Sequence, residues 1–324
     1  MKKKIIFGLG ISTIFLYLSV RQIEFAEVWK AFASAEYFWA LPTIAIVLFT
    51  MWLRAWRWHY LLRRMKSIGS PSLFSSVMIG FMSNNILPAR LGELVRAISI
   101  AKKESISRSG AFATIMVERI FDSFAILFIM AICLILFPFP ELIKKAGYIT
   151  FLINVAALVV LFSLSRWTEA TRALIEKVVN IFPAKISVFL MHLLDRFIEG
   201  LGIFKDIKST IIVCGYTALL WVIVALSSYP IFLAFGIKPS LIATFVLLVI
   251  VAFAVMLPSS PGFIGTFQYG CTVALGLFDI PKEISFPFSV VLWSCQFFPV
   301  TLLGLYYLRR ESLSLKAIDK ETVA

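Results

Sequence analysis

Charge is scarce in this sequence. Only 15% of its 324 residues are charged, against 60% hydrophobic, whereas a soluble globular chain carries about 25% charged and 45–50% apolar residues. That scarcity excludes a soluble enzyme and a disordered chain. Cysteine is scarce as well. Cys133, Cys214, Cys271 and Cys295 lie in apolar segments without CxxC spacing, so they read as buried small hydrophobes, not disulfides or zinc ligands. The only two histidines, His59 and His192, lie far in sequence from any acidic cluster. There is no Gly-rich nucleotide loop and no nucleophile elbow. No cofactor or metal is expected. Acidic residues are few too, 18 against 31 basic, for a net charge of +13. No basic run is interleaved with base-stacking aromatics, so the excess points to basic cytoplasmic loops and not to nucleic acid.

What the sequence does have is apolar length, with a mean hydropathy of +0.93. The expected fold class is all-α: a polytopic helical membrane protein, read as one transmembrane domain over 1–324. Segment Ile5–Val20 follows three lysines and lacks a nearby small-x-small cleavage site, so it reads as an uncleaved, short first span. Full-length apolar stretches follow at about 37–53, 109–137, 148–165, 209–235 and 284–308, giving about six full spans. Each can cross a hydrocarbon core of roughly 30 Å. Two more apolar stretches are interrupted, 73–101 around Pro88 and 241–278 around Pro258 and Pro261. Proline lacks an amide donor and blocks the preceding turn, so each site should end one half-helix and begin another.

Twenty-two Lys and Arg fall in 2–4, 54–66, 102–108, 166–208 and 309–320, and six in 21–30, 144–145 and 238–282. This asymmetry makes the first group cytoplasmic, with both termini inside a plasma membrane. Both ends of the first broken stretch are then cytoplasmic, and both ends of the second external. Units 37–137 and 209–308 become inverted repeats, each a span, a re-entrant hairpin and a span, as in secondary transporters. The Pro-x-x-x-Gly spacing of Pro88 and Gly92 recurs at Pro261 and Gly265, at the two breaks. Stretch 166–208 is polar, with Ile186, Leu190, Leu193, Phe197 and Leu201 at helical spacing, and predicts two amphipathic helices on the cytoplasmic face divided at Pro183. Trp29, Trp39, Trp52, Trp56, Trp58 and Trp167 fit interfacial anchors.

Six charges lie inside apolar stretches: Arg90, Glu93, Arg96, Glu118, Arg119 and Asp122. At about 2.5–3.5 kcal/mol each, unpaired, they would cost on the order of 15–20 kcal/mol, more than a typical fold's net stability. They must be paired or hydrated. Arg90, Glu93 and Arg96 share a broad helix face. Glu118 and Asp122, four apart, need a cation between them, and an arginine from the first hairpin is expected to supply it. The network either fixes hairpin against span or lines a wet cavity that takes a charged substrate. Asn84 or Asn85 is expected to cap the half-helix after Pro88, and Ser260 the one after Pro261. Helix N-termini aimed at mid-membrane favour an anion, while Gly92, Gly262 and Gly265 permit close backbone approach. The expected headgroup contacts are Asn85, Arg90, Arg96, Ser260 and Gly262.

The run from Asn85 to Arg96, the run Val117-Glu-Arg-Ile-Phe-Asp122 and the run from Leu257 to Gln268 resemble the signatures of the lysylphosphatidylglycerol synthase transmembrane-region family, a flippase-like membrane domain, in order along nearly the whole chain. The resemblance implies movement of lipid headgroups between leaflets, with membrane lipids as partners and envelope-lipid synthesis enzymes as possible ones. It adds Gln268 to the expected headgroup contacts, at a position where many members carry Glu. Fourteen residues follow Arg310, so no soluble transferase domain and no lysyl-lipid synthesis are expected. The alternatives are an integral membrane enzyme, or an accessory subunit, acting on a phospholipid or polyprenyl phosphate, with Glu93, Glu118 and Asp122 as acids or metal ligands. A small-anion channel is a third class.

Overall fold

A computed structural model describes residues 2–21, 23–87, 91–139, 141–166, 168–179, 181, 184–200, 206–257 and 259–311. Among them every regular element is helical. In chain order the helices are α1 (Lys2–Val20), α2 (Phe25–Ser34), α3 (Ala40–Leu62), α4 (Ser70–Ile86), α5 (Gly92–Glu104), α6 (Arg108–Leu136), α7 (Glu141–Arg166), α8 (Thr168–Val179), α9 (Ala184–Gly200), α10 (Ile207–Leu226), α11 (Tyr229–Ala234), α12 (Leu241–Met256), α13 (Thr266–Gly276) and α14 (Lys282–Arg310). Single 3-10 turns lie at Tyr37–Trp39 and Pro261–Phe263.

Five helical stretches are long and apolar enough to cross a membrane: Tyr37–Leu62, Arg108–Leu136, Glu141–Val160, Ile207–Ala234 and Lys282–Arg310. They coincide with the five full-length stretches expected. The chain is an all-α polytopic membrane protein. The sixth expected span corresponds to α1, whose apolar part, Gly10–Val20, is shorter.

Both interrupted stretches are broken helices. Helix α4 ends at Ile86, and α5 starts at Gly92 and packs back on α4. Helix α12 ends at Met256, and α13 starts at Thr266 and packs back on α12. Pro88, Arg90 and Pro258 lie outside the described residues. Gly92 opens α5 and Gly265 immediately precedes α13, so the repeated glycine marks the same place in both. The first restart is capped across its break, because the Gly92 amide donates to Asn84 Oδ1 at 2.8 Å. The second differs from expectation. Pro261 opens only one 3-10 turn, and Ser260 makes no side-chain cap there. Gly262 (φ +73°) and Gly265 (φ +90°) reverse the chain through left-handed backbone, which costs a side-chain-bearing residue but not glycine. The α13 cap is Gln268, whose Oε1 accepts the Gly265 amide at 2.7 Å.

Helix α14 is the post on which both breaks lean. Asn85 Nδ2 donates to Thr301 Oγ1 at 2.9 Å, and Trp293 Nε1 donates to the Gly262 carbonyl at 2.7 Å. A Cβ at Gly262 would lie 3.5 Å from the Asn85 carbonyl oxygen, so the two breaks touch. Helix α1 packs on α13, and Ser12 Oγ accepts the Ser260 amide at 2.8 Å. Two apolar cores flank this junction, one around Trp58, Met78 and Ile115, the other around Phe232, Val246 and Phe288.

The 166–208 region does form two helices, α8 and α9. Helix α9 packs on α6, and its Leu194, Phe197 and Ile198 join the first core. Ile186 is exposed instead, so the apolar stripe is shorter than predicted. Pro183, Trp167 and Leu201 lie outside the described residues, as do the side chains of His192 and Leu193. Two smaller expectations need correction. Trp58 is fully buried, not interfacial, and Cys214 is exposed while the other three cysteines are buried.

Candidate functional site

Helix α3 extends to Leu62, nine residues past the apolar stretch read from sequence. This carries Arg54 and Arg57 into the bundle. The stretch 37–53 is 17 residues long, at the low end of the roughly 20 needed to span a bilayer, and that shortfall was the available signal. The Lys and Arg count of the sequence places both arginines in a cytoplasmic loop. Of that group only Arg63, Arg64 and Lys66 follow α3.

Among the described residues Arg57 of α3 fills the gap between the two α6 carboxylates, where the sequence predicts an arginine of the first hairpin. Its Nη1 donates to Asp122 Oδ1 at 2.5 Å and to Thr217 Oγ1 on α10 at 2.9 Å. Its Nη2 lies 3.0 Å from Glu118 Oε1 and donates to Asp122 Oδ2 at 3.2 Å. Arg96, from α5, grips Glu118 as a fork, with Nη1 to Oε1 at 2.9 Å and Nη2 to Oε2 at 3.0 Å. The Arg96 guanidinium lies 3.8 Å from the Trp58 ring centroid, and the Trp58 indole donates to Thr114 Oγ1 at 2.9 Å. Arg119 Nη2 reaches Glu118 Oε1 at 2.6 Å and Asp122 Oδ2 at 3.2 Å. Trp221 Nε1 on α10 donates to Asp122 Oδ1 at 2.9 Å. Glu118 and Arg57 are entirely buried. Removing them from water is costly, and only this density of charged hydrogen bonds offsets it.

The network forms one wall of a cavity of about 510 Å3. Its lining holds the charged and amide side chains of Arg54, Asn84, Asn85, Glu93, Arg119 and Asp122, and hydroxyls of Ser123, Ser227, Ser228 and Thr244. Much of the rest is apolar, with Leu247, Leu248, Val251 and Val255 from α12 and Phe263 and Phe267 from the second break. A cavity that combines charged and apolar lining suits an amphiphile.

The sequence-predicted residues therefore divide. Asn85, Glu93, Arg119 and Asp122 line the cavity, while Arg96 and Glu118 stand behind it in the ion-pair network. Gly92 restarts α5, and its neighbour across the break, Asn84, reaches the cavity. Ser260, Pro261, Gly262, Gly265 and Gln268 build the second break and are absent from the lining, although Phe263 of the same turn lines it. Arg54, Arg57, Thr217 and Trp221 were not anticipated. Among the described residues, no group of three or more His, Cys, Asp and Glu is placed to hold a metal ion.

Comparison with protein families matches residues 5–304 to the lysylphosphatidylglycerol synthase TM region. A UPF0104 membrane protein of Methanothermobacter thermautotrophicus is 23% identical over 337 residues, covering 99% of this chain and 100% of the relative. The UPF0104 membrane protein MJ1595 of Methanocaldococcus jannaschii is 21% identical, covering 91% of each. Glycosyltransferase AglD of Haloferax volcanii is 24% identical over 304 residues, covering 83% of this chain but 48% of that protein. No solved structure matches.

Proposed function

The chain belongs to the lysylphosphatidylglycerol synthase transmembrane-region family, and from that premise we propose that it moves an anionic lipid or lipid-linked headgroup between membrane leaflets. The carrying observation is the cavity itself, where Arg54, Arg119, Glu93 and Asp122 share a lining that is otherwise mostly apolar. A lone charge costs about 2.5–3.5 kcal/mol at the centre of a bilayer. A fixed array of guanidinium groups replaces the water that the headgroup sheds, while the chains stay against hydrocarbon. In this reading α4–α5 and α12–α13 are re-entrant hairpins from opposite sides of a plasma membrane, with both termini cytoplasmic. Membrane lipids are its partners in this reading, which also leaves room for enzymes of envelope-lipid synthesis.

The test is reconstitution in vesicles with head-labelled phosphatidylglycerol and a polyprenyl phosphate, followed by an impermeant quencher. The reading expects at least one anionic lipid to change leaflet faster than in protein-free vesicles. Equal rates for every lipid would refute it.

A second reading is favoured by one relative's name. AglD is called a glycosyltransferase, so an enzyme acting on a lipid phosphate remains the competitor. Turnover of a polyprenyl phosphate or phospholipid by the purified chain, lost in Glu93→Gln, would select it.

A further inference from the structure

Four arginines crowd Glu118 and Asp122, and the oxygens of these two carboxylates are filled before every donor is used, while Glu93 on the same cavity keeps a buried Oε2 without a partner. An ionised carboxylate offers about four lone-pair sites. Glu118 already has four donor contacts within 3.0 Å: two from Arg96, one from Arg57 and one from Arg119. Asp122 has four within 3.2 Å: two from Arg57, one from Arg119 and one from Trp221. The Nε of all four arginines is buried without a partner, and Arg54 has a buried, unpartnered Nη1 in addition. Its Nη1 stands 3.9 Å from Asp122 Oδ2, beyond hydrogen-bond reach. Nε and Nη1 are both buried with no hydrogen-bond partner, and the residue is only 5% exposed. Its guanidinium is held between two rings instead, 4.9 Å from the Phe81 centroid and 5.6 Å from that of Trp221. Aromatic faces stabilise a cation but accept no strong hydrogen bond. A buried cation short of an acceptor beside a cavity can take one from outside the chain, as water or as an anion.

We propose that Arg54 is the residue that binds the anionic group of the lipid, through the part of its guanidinium that lines the cavity. This rests on the lipid-transport reading and names the contact that selects the substrate. The ligand class is a monoanionic lipid head, a phosphodiester, with its chain along the α12 wall. The charge balance sets this choice. Arg54, Arg57, Arg96 and Arg119 face Glu93, Glu118 and Asp122, leaving one positive charge among the described residues, which a single negative charge neutralises. Arg57 and Arg96 are structural by contrast, since their guanidinium tips are spent on Glu118 and Asp122.

The experiment compares the purified full chain with Arg54→Gln, Arg54→Lys and Arg57→Gln in detergent. Binding of short-chain phosphatidylglycerol, phosphatidylcholine and inorganic phosphate is titrated, and the melting temperature is taken without ligand. Phosphatidylglycerol should bind wild type at least about tenfold more tightly than Arg54→Gln, because a hydrogen bond to a charged group is worth roughly 1.5–3 kcal/mol. Arg54→Lys, with a point charge in place of a fork, should fall between them. Without ligand, Arg54→Gln should melt no lower than wild type, since it removes an unsatisfied buried cation, whereas Arg57→Gln should melt markedly lower. Equal phosphatidylglycerol affinity in wild type and Arg54→Gln would overturn the assignment. So would a loss of melting temperature in Arg54→Gln equal to that in Arg57→Gln. Inorganic phosphate binding as tightly as the lipid would overturn the lipid source. Arg54-dependent binding without leaflet exchange would sink the transport reading and leave this assignment standing. Exchange that persists in Arg54→Gln would do the reverse.

Discussion

Glu118 and Asp122 divide three guanidinium groups so closely that each is the others' solvent. Deleting one member therefore strands the rest in a dry interior. Arg57→Ala should cost roughly 3–5 kcal/mol, the range for breaking a buried ion pair, read as a lowered melting temperature and poor recovery of folded protein. Asp122→Asn should be similarly severe, because the Trp221 indole and two arginines lose a charged acceptor together. At this scale the sequence revealed half of the site. Glu118, Arg119, Asp122, Glu93 and Arg96 stood out because charge inside an apolar run is conspicuous. Arg54 and Arg57 did not, because they follow the apolar run in a stretch rich in tryptophan and arginine that also suits a membrane interface. Pairing was legible as a necessity. Which arginine met which acid was not, because that depends on how α3 docks against α6.

Two helices come together only where side chains are absent. A Cβ at Gly304 on α14 would lie 2.6 Å from the Met78 carbonyl oxygen and collide with Met82 on α4. Gly304→Ala should push α14 off the first hairpin at a cost of about 1–3 kcal/mol, as overpacking does. Gly215→Ala on α10 is the control. Nothing lies within 4 Å of its Cβ position, so it should gain up to about 1 kcal/mol from helix propensity. Thermal unfolding in one detergent compares the two. Outside the spans, hydrogen bonds from Lys66 and then Ser72 hold the Glu104 carboxyl below its usual value near 4.5, and Lys66 Nζ sits 2.9 Å from its Oε2. A depressed carboxyl adds stability above its unfolded value and loses it as pH falls through its folded one. The melting temperature of wild type should exceed that of Lys66→Ala at pH 7, and the gap should close as pH drops below about 4. Both helix breaks were legible, because proline and glycine punctuate an apolar run by simple sterics. The second cap was misplaced, since Gly262 and Gly265 carry the chain past Pro261 before α13 can start.

For the molecule as a whole, the account depends on charged loops sorting to one side. Moving Arg54 and Arg57 from loop to bundle reduces that bias without reversing it, so cysteines placed at Lys102 and Lys282 in a variant free of native cysteine should label from opposite faces of the membrane. The all-helical class and its apolar spans were plain from composition. The cavity was not, because it forms where α3, α4, α6, α10 and α12 meet, and no single segment encodes it. The most direct test is native mass spectrometry of the protein purified from its membrane, beside Arg54→Gln. Wild type should retain about one monoanionic lipid per chain and the variant should lose it. Wild type carrying no anionic lipid, or both carrying it equally, would contradict the account.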